Sequence, residues 1–371
     1  MKYFLKYSIL LFVFLTVCQK DNTVVLHGKD NWGIKRLTDR YQNPDIAGLP
    51  DNNKNMNENT SLNCFDTTFI DTNLSDDFLS IFFINGKDGF ISGRNGGIYK
   101  TTDSAKTWTK LNSTTTLPIR DIYFLDNSNG FAVGGENSCG GTGCTPPGGF
   151  ILKTQDGGQS WTKIFTPSRK IEISSIYFID KTTGFCVGSN VIFKTNDGGK
   201  TWTENKIDIF RGIMSKISFL DHQNGFIVGS FDKILKTNNG GLTWEISSPN
   251  KDFGYYSFSS SEGVSYVSGQ SRIIKSANGG SSWTELVNSP SNIYAIKFTS
   301  KNIGYAFGRG NYPGGCSGQS YGSMYCTNNG GATWNGNGNF KEVGLIESVS
   351  FPVPNIGYAI SGNKIIKISI K

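Results

Sequence analysis

The chain has 371 residues, 37% of them hydrophobic, which suffices for one large or two ordinary globular domains and excludes disorder of the whole chain. Its 46 glycines follow no collagen-like period and are expected in turns. Two histidines leave little for a His-based metal site or a Ser-His-Asp triad, so we expect no metal and no cofactor. The formal charge of +7 includes no Lys/Arg run of the kind that follows a phosphate backbone, so nucleic acid is not an expected partner.

Residues 1–17 have the features of a signal peptide: Lys2 and Lys6 precede an apolar stretch at 9–17 that is too short to span a bilayer. Its removal leaves 34 basic against 29 acidic residues, a charge of about +5. The tetrapeptide LTVC, which ends at Cys18, resembles the bacterial lipobox, and this resemblance implies lipidation of Cys18 in a periplasmic or cell-surface lipoprotein. A secretory signal without lipid is the alternative. Both interpretations predict export.

Residues 18–62 are polar and rich in Asn, with few regularly spaced apolar residues. This composition is typical of a linker, so we expect a polar tether between the lipid anchor and the folded domain. Trp32 and Ile34 are exceptions and leave a short docking segment open.

Beyond the tether, one eight-residue segment occurs six times, for example TQDGGQSW and TNDGGKTW, at intervals of 39 to 53 residues. Each copy ends in tryptophan, at Trp108, Trp161, Trp202, Trp244, Trp283 and Trp334. The third position of the copies holds Asp103, Asp156, Asp197, Asn239, Asn278 and Asn329. A repeat near forty residues indicates one supersecondary unit used many times.

Each repeat unit contains four short apolar or alternating segments separated by turns. In one unit these are Ile122–Leu125, Phe131–Gly134, Phe150–Lys153 and a segment that begins at Trp161. Four short antiparallel strands in each unit predict the blades of an all-β propeller.

The number of blades depends on how the two ends of the chain meet. After the sixth copy, Ile346–Phe351, Gly357–Ile360 and Lys364–Ile368 supply three further strands before the chain stops. Phe65–Ile70 can supply the fourth, which would close the ring and leave no exposed strand edge between its ends. We therefore predict a seven-bladed propeller over residues 63–371.

The repeated segments resemble the Asp-box, or BNR repeat, with the pattern Ser/Thr-x-Asp-x-Gly-x-x-Trp. The resemblance implies a structural role: the Asp or Asn side chain satisfies backbone N–H groups, glycine supplies an unusual dihedral, and tryptophan packs between blades. A calcium loop is the weaker interpretation, because three copies carry neutral Asn and none has a second carboxylate in ligand spacing.

Among Asp-box propellers, the chain is most similar to the photosystem II stability/assembly factor family. The similarity lies in the length of the repeat unit, in the sequences of the boxes and in second strands such as Gly225–Gly229. That resemblance implies a non-enzymatic protein that holds a membrane-protein partner. We therefore expect no catalytic residues and a monomer that binds a protein partner or an acidic glycan. The long tether and the inserted loops depart from the compact members of that family.

An extracellular glycoside hydrolase of the sialidase type, or a glycan-binding module, is the alternative. A sialidase needs three convergent arginines, a Tyr nucleophile and an Arg-Ile-Pro motif, and the sequence lacks that motif. Paired carboxylates about 5 to 9 Å apart could still hydrolyse a glycoside, and Glu172 is the first candidate. Asp-box xyloglucan hydrolases, however, consist of two propellers.

Six arginines of the predicted propeller map to the face opposite the boxes. Arg94, Arg272 and Arg309 fall in or beside loops between second and third strands, and Arg120, Arg169 and Arg211 fall in connections between blades. Two insertions, 136–148 and 309–322, lengthen loops of the same face, and the second carries Tyr312 and Tyr321. We predict a partner-binding surface there, because arginine forms bidentate pairs with carboxylates. Solvated loops without a partner are the alternative.

Cysteine spacing suggests one disulfide, between Cys139 and Cys144 of the first insertion. Cys316 and Cys326 flank the second insertion and form a weaker candidate pair, whereas Cys64 has no assigned partner. Cys186 is expected to be buried and inert. A zinc site from four cysteines of the insertions is disfavoured, since no Cys-x-x-Cys spacing occurs there.

Overall fold

The computed structural model describes residues 64–136, 148–207, 212–230, 233–248, 254–310, 321–340 and 342–371. These residues form seven sheets, each of four antiparallel strands. The first strand of every sheet contacts the first strands of both neighbouring sheets, so that the seven first strands close an inner ring. The predicted seven-bladed, all-β propeller is confirmed.

The strands follow the chain from blade to blade. Blade 1 has β2 (Phe78–Phe83), β3 (Gly89–Gly93), β4 (Ile98–Thr101) and β5 (Thr109–Leu111). Blade 2 has β6 (Ile119–Phe124), β7 (Gly130–Glu136), β8 (Gly148–Thr154) and β9 (Thr162–Phe165). Blade 3 has β10 (Ile173–Phe178), β11 (Gly184–Gly188), β12 (Val191–Thr195) and β13 (Thr203–Lys206). Blade 4 has β14 (Met214–Phe219), β15 (Gly225–Gly229), β16 (Ile234–Thr237) and β17 (Glu245–Ile246).

Blade 5 has β18 (Tyr255–Ser261), β19 (Val264–Gly269), β20 (Ile273–Ser276) and β21 (Thr284–Glu285). Blade 6 has β22 (Ile293–Phe298), β23 (Gly304–Gly310), β24 (Tyr321–Thr327) and β25 (Asn335–Phe340). Blade 7 combines both ends of the chain: β26 (Ser348–Val353), β27 (Ile356–Ser361), β28 (Lys364–Ile370) and, as its outermost strand, β1 (Phe65–Ile70). In that last pair Phe65 lies opposite Ile370, as the predicted ring closure requires.

The core lies between adjacent blades and is built from first, second and third strands. The second strands are fully buried in blades 1, 3 and 4. In blade 3, Phe185 packs against residues of blade 4 such as Ile217 and Phe219. The glycine that opens each of these strands is required by packing. A Cβ on Gly184 would lie 2.5 Å from the ring of Phe178, a distance that packed cores do not tolerate.

A lysine on the third strand links several blades to the next one. The Nζ of Lys153 donates a 2.8 Å hydrogen bond to the carbonyl of Gly198 in blade 3 and lies 5.3 Å from the centre of the Phe131 ring. Equivalent links run from Lys100, Lys194 and Lys275 to the carbonyls of Gly157, Gly240 and Gly330. We call these contacts the lysine latches.

A disulfide joins Cys64, just before β1, to Cys326 in β24 of blade 6, with 6.4 Å between the two Cα atoms. The candidate pair Cys316–Cys326 was therefore wrong, because Cys326 faces the neighbouring blade across the ring closure and not the inserted loop. Cys186 is a buried free thiol, and burial raises its pKa. The predicted pair Cys139–Cys144 lies outside the described residues.

The signal peptide, the tether and Cys18 also lie outside the described residues. Within the part of the chain that the structure describes, no helix is long and apolar enough to cross a membrane. The same part contains no group of three or more His, Cys, Asp or Glu side chains placed to hold a metal ion.

Candidate binding face

The Asp-boxes form the turns between third and fourth strands, on one face of the propeller. In blade 2, Asp156 accepts hydrogen bonds from the Thr154 hydroxyl at 2.8 Å and from the Ser160 backbone N–H at 2.9 Å. The Ser160 hydroxyl donates to the second carboxylate oxygen at 2.6 Å, and this bond, with the others, lowers the pKa of Asp156 to about 2. The box carboxylate is thus used by its own turn.

The boxes with asparagine keep the same turn. Asn239 Oδ1 accepts the Thr237 hydroxyl at 2.9 Å and the Thr243 backbone N–H at 3.0 Å. Its Nδ2 donates to the Thr243 hydroxyl at 2.7 Å, so that the hydroxyl reverses its role. A neutral side chain therefore satisfies the turn as well as a charged one, which supports a structural role for Asp103, Asp156, Asp197, Asn239, Asn278 and Asn329.

The six box tryptophans meet phenylalanine rings edge-on. Trp161, for example, lies 6.0 Å from Phe124 at an interplanar angle of 87°. The other pairs are Trp108 with Phe83, Trp202 with Phe178, Trp244 with Phe219, Trp283 with Phe226, and Trp334 with Phe298. These contacts pack the box tryptophans against the core between blades, as a structural role of the boxes requires.

That opposite face, which we call the arginine face, holds the connections between blades and the turns between second and third strands. Arg94 and Arg272 lie in such turns, and Arg169 lies in the connection between β9 and β10. Arg120 differs from the prediction, because it is the second residue of β6 and not part of a connection. Arg309 belongs to the end of β23, and Tyr321 opens β24, whereas Arg211 and Tyr312 lie outside the described residues.

Four of these arginines pair with carboxylates of the chain itself. Arg120 Nη2 lies 2.8 Å from Glu172, which is only 6% exposed, so the carboxylate first considered for catalysis is held in an ion pair. Arg169 binds Glu204 through Nε at 3.1 Å and Nη2 at 2.7 Å. The remaining pairs are Arg94 with Asp77 and Arg272 with Glu285. Sequence reasoning missed these partners because they come from other strands or blades.

The first strands carry a bulge near the end that reaches the arginine face. In six blades the register with the second strand shifts by one residue there, for example between Ile119 and Asp121. The residues at the shift are Leu79, Arg120, Ser174, Ser215, Tyr256 and Tyr294. Glu347 occupies the corresponding position of blade 7, directly before Ser348. We call these seven residues the bulge ring; a bulge re-aims the side chain that it carries.

One position further along the first strands, a charged contact crosses the ring. Asp121 is 5% exposed and accepts hydrogen bonds from Lys216 Nζ at 3.0 Å and from the Ser175 hydroxyl at 2.8 Å. The backbone N–H of Ile176 and the hydroxyl of Ser80 complete its shell, so four blades meet at one carboxylate. Sequence reasoning also missed this contact, although Ser80, Ser175 and Ser257 occupy the equivalent position in other blades.

The bulge ring has an aromatic pair, Tyr256 and Tyr294, beside an acidic residue, Glu347. Tyr256 and Tyr294 stack with their ring centres 4.3 Å apart, and burial raises the pKa of Tyr256 to about 12. Burial also raises the pKa of Glu347, while Arg94 and Arg120 oppose that shift. A cavity of about 430 Å³ opens beside Glu347; Asp77, Arg94 and Lys364 are among its lining residues.

Comparisons with known proteins agree with this architecture. A family model described as photosynthesis system II assembly factor YCF48 matches residues 159–245 and 209–287. The solved structure of YCF48 bound to D1 peptide is 17% identical with a TM-score of 0.63, covering 84% of this chain and 98% of that chain. YCF48 from Cyanidioschyzon merolae is 14% identical with a TM-score of 0.62, covering 82% of this chain and 98% of that chain.

A GH74 enzyme from Niastella koreensis shares the architecture at 18% identity and a TM-score of 0.61, covering 82% of this chain but 53% of that chain. No curated protein sequence matches the chain. At these identities the structural comparisons speak for the fold alone. The chain is a BNR-type propeller like the photosystem II assembly factor.

Proposed function

We propose that the chain is a non-catalytic, exported propeller that binds a segment of a protein partner on its arginine face. The observation that carries this proposal is the gathering of paired arginines and stacked tyrosines at that face, in a fold that in YCF48 holds a D1 peptide. Aromatic and arginine side chains are the residue types most enriched in protein-binding hot spots.

The polar groups of the two faces differ in how they are used, and this supports the choice of face. On the box face, the carboxylate oxygens of Asp156 and its equivalents accept hydrogen bonds from their own turns. On the arginine face, Arg169 is 41% exposed and Arg94 is 51% exposed, so their remaining N–H groups face solvent. An arginine already oriented by a carboxylate binds a further acceptor at a smaller cost in side-chain entropy.

Export is part of the proposal. The signal-like residues 1–17 and the lipobox-like Cys18 favour an envelope lipoprotein, and the disulfide between Cys64 and Cys326 favours an oxidising compartment. In this proposal, the polar residues 18–62 tether the propeller to a membrane, close to membrane-associated partners.

An affinity capture from detergent-solubilised cell envelope tests the function. We expect the full chain to retain a specific protein partner and Arg120→Gln/Glu172→Gln/Arg169→Ala to lose most of it, because the variant removes two guanidinium groups of the arginine face without leaving Glu172 charged and buried. Lys106→Ala/Lys200→Ala, which removes two exposed cations from the box face, is the matched control. A partner set indifferent to the first variant would contradict the choice of face.

A glycoside hydrolase is the second candidate, and one observation favours it. Glu347, whose pKa is raised by burial, lines the same cavity as Asp77, and a carboxyl group of raised pKa beside a second carboxyl group is the usual arrangement of glycosidases. A panel of fluorogenic glycosides tests it: turnover that survives purification and disappears in Glu347→Gln would favour the hydrolase over the binding protein.

A further inference from the structure

The bulge ring contains one acidic group that the arginines leave unpaired. Arg94 pairs with Asp77 and Arg120 pairs with Glu172, both at the end of the central channel on the arginine face, which we call the mouth of the propeller. The side chain of Glu347 makes no ion pair and no hydrogen bond with any residue that the structure describes, although it is half-buried. A carboxylate partly removed from water gains strongly from a cation that reaches it.

The two cations that line this cavity, Arg94 and Lys364, are engaged with other groups. Arg94 pairs with Asp77 at 3.7 Å. Lys364 Nζ donates a 2.6 Å hydrogen bond to the carbonyl of Glu342 and lies 5.9 Å from the centre of the Phe69 ring. The charge of Glu347 is therefore available to a group that comes from outside the chain.

An aromatic surface adjoins Glu347 in the ring. Tyr294 takes the neighbouring position on blade 6, and Tyr256 stacks on it from blade 5 at an interplanar angle of 13°. Both tyrosines are half-exposed, so the stack presents an aromatic surface at the mouth. A carboxylate beside aromatic rings suits an ammonium or guanidinium group, which binds the ring electrons and the negative charge together.

We propose that the partner segment places a lysine or arginine side chain at the mouth of the propeller, between Glu347 and the Tyr256–Tyr294 stack. This inference rests on the proposed function and names the chemistry of the partner. It reverses the simplest expectation from the arginine face, which is an acidic partner. Four arginines of the face are paired within the chain. Among the seven residues of the bulge ring, Glu347 carries the one charge without an ion-pair partner, and we expect this charge to set the preference.

An immobilised library of short peptides tests this preference with the full chain as the probe. All peptides share one Ala/Ser/Tyr background and differ at the central residue, which is Lys, Arg, Gln or Glu. We expect the chain to enrich Lys and Arg peptides about tenfold over Glu peptides, and Glu347→Gln to remove most of that preference. Tyr294→Ala should weaken capture of the basic peptides about two- to fivefold.

The matched control is Glu342→Gln, which removes an exposed carboxylate from the same connection between blades 6 and 7. It should leave the preference unchanged, and equal melting temperatures of the variants exclude unfolding as a cause. Capture that ignores the central charge, or a preference that Glu347→Gln preserves, would overturn the inference and leave the proposed function standing. Failure to capture any peptide would overturn both.

Discussion

Single box residues show how a carboxylate can be structural without being paired to a cation. Hydrogen bonds from the Thr107 hydroxyl and backbone lower the pKa of Asp103 to about 2, and the same arrangement lowers the pKa of Asp156 and Asp197. A carboxyl group whose pKa is lower in the folded state stabilises the fold above its unfolded pKa. That contribution is lost as the pH falls towards 2.

We therefore expect Asp103→Asn/Asp156→Asn/Asp197→Asn to fold normally at pH 7, because Asn239 makes an equivalent turn. Between about pH 4 and pH 2 its melting temperature should fall less steeply than that of the unmodified chain. Calorimetry across this pH range measures the difference. The effect should be partial, since the lowered pKa of Asp180 adds its own acid sensitivity.

The Asp→Asn prediction assumes that asparagine can replace aspartate in any box, because its amide makes an equivalent set of hydrogen bonds. If the variant melts far below the unmodified chain at pH 7, the prediction is wrong, and the Asn turn is stable only in the blades that naturally carry it. The first box is the stricter case, because Ser104 and Ala105 adopt φ values of 63° and 67° where other boxes have glycine.

Among the elements, the third strands carry the lysine latches that join neighbouring blades. Lys153→Met should lower the free energy of unfolding by about 1 to 2 kcal/mol, because it removes a charged hydrogen bond to Gly198 and the contact with the Phe131 ring. Urea titration measures this loss. Lys106→Met, at an exposed position in a box, is the control and should change stability little.

If Lys153→Met lowers the free energy of unfolding no more than Lys106→Met does, the prediction is wrong, and hydrogen bonds to water stabilise these groups as well as the latch does. The lowered pKa of Lys153, caused by its partial burial, argues against this outcome because a desolvated ammonium group needs its acceptor.

The strands of the blades could be predicted from sequence because their signals are local. The alternation of apolar residues, the glycine before Phe185 and the box that ends at Trp202 all lie within one repeat unit. Because the unit recurs along the chain, each of these signals is seen several times. The ends of the chain could be paired because β1 supplies the one missing strand.

The candidate site could be predicted only in part, because its contacts join residues that are distant in sequence. The order of the strands predicts on which face of the propeller Arg169 lies, but it does not predict that Arg169 pairs with Glu204. Lys216 meets Asp121 from 95 residues away, across two blades. The bulges that carry Tyr256 and Tyr294 leave no local pattern, since a single extra residue in a strand resembles ordinary alternation.

At the scale of the whole molecule, ring closure depends on the pairing of β1 with β28 and on the disulfide behind it. Cys64 stands directly before β1 and Cys326 lies in blade 6, so the bond ties the outermost strand of blade 7 to the neighbouring blade. The cross-link encloses a sequence separation of 262 residues, and long loops are where a disulfide restricts the unfolded chain most.

Reduction should therefore loosen the closure and lower the melting temperature by about 5 to 10 °C, from the roughly 2 to 5 kcal/mol that a native disulfide contributes. Cys64→Ser/Cys326→Ser should melt at the temperature of the reduced chain, whether or not reductant is present. Cys139→Ser/Cys144→Ser is the informative comparison, because a staple within one short loop restricts the unfolded chain far less. That variant should keep most of the reductant-dependent fall, whereas a fall that disappears with Cys139 and Cys144 would assign the stabilising bond to the inserted loop and leave β1 held by hydrogen bonds alone.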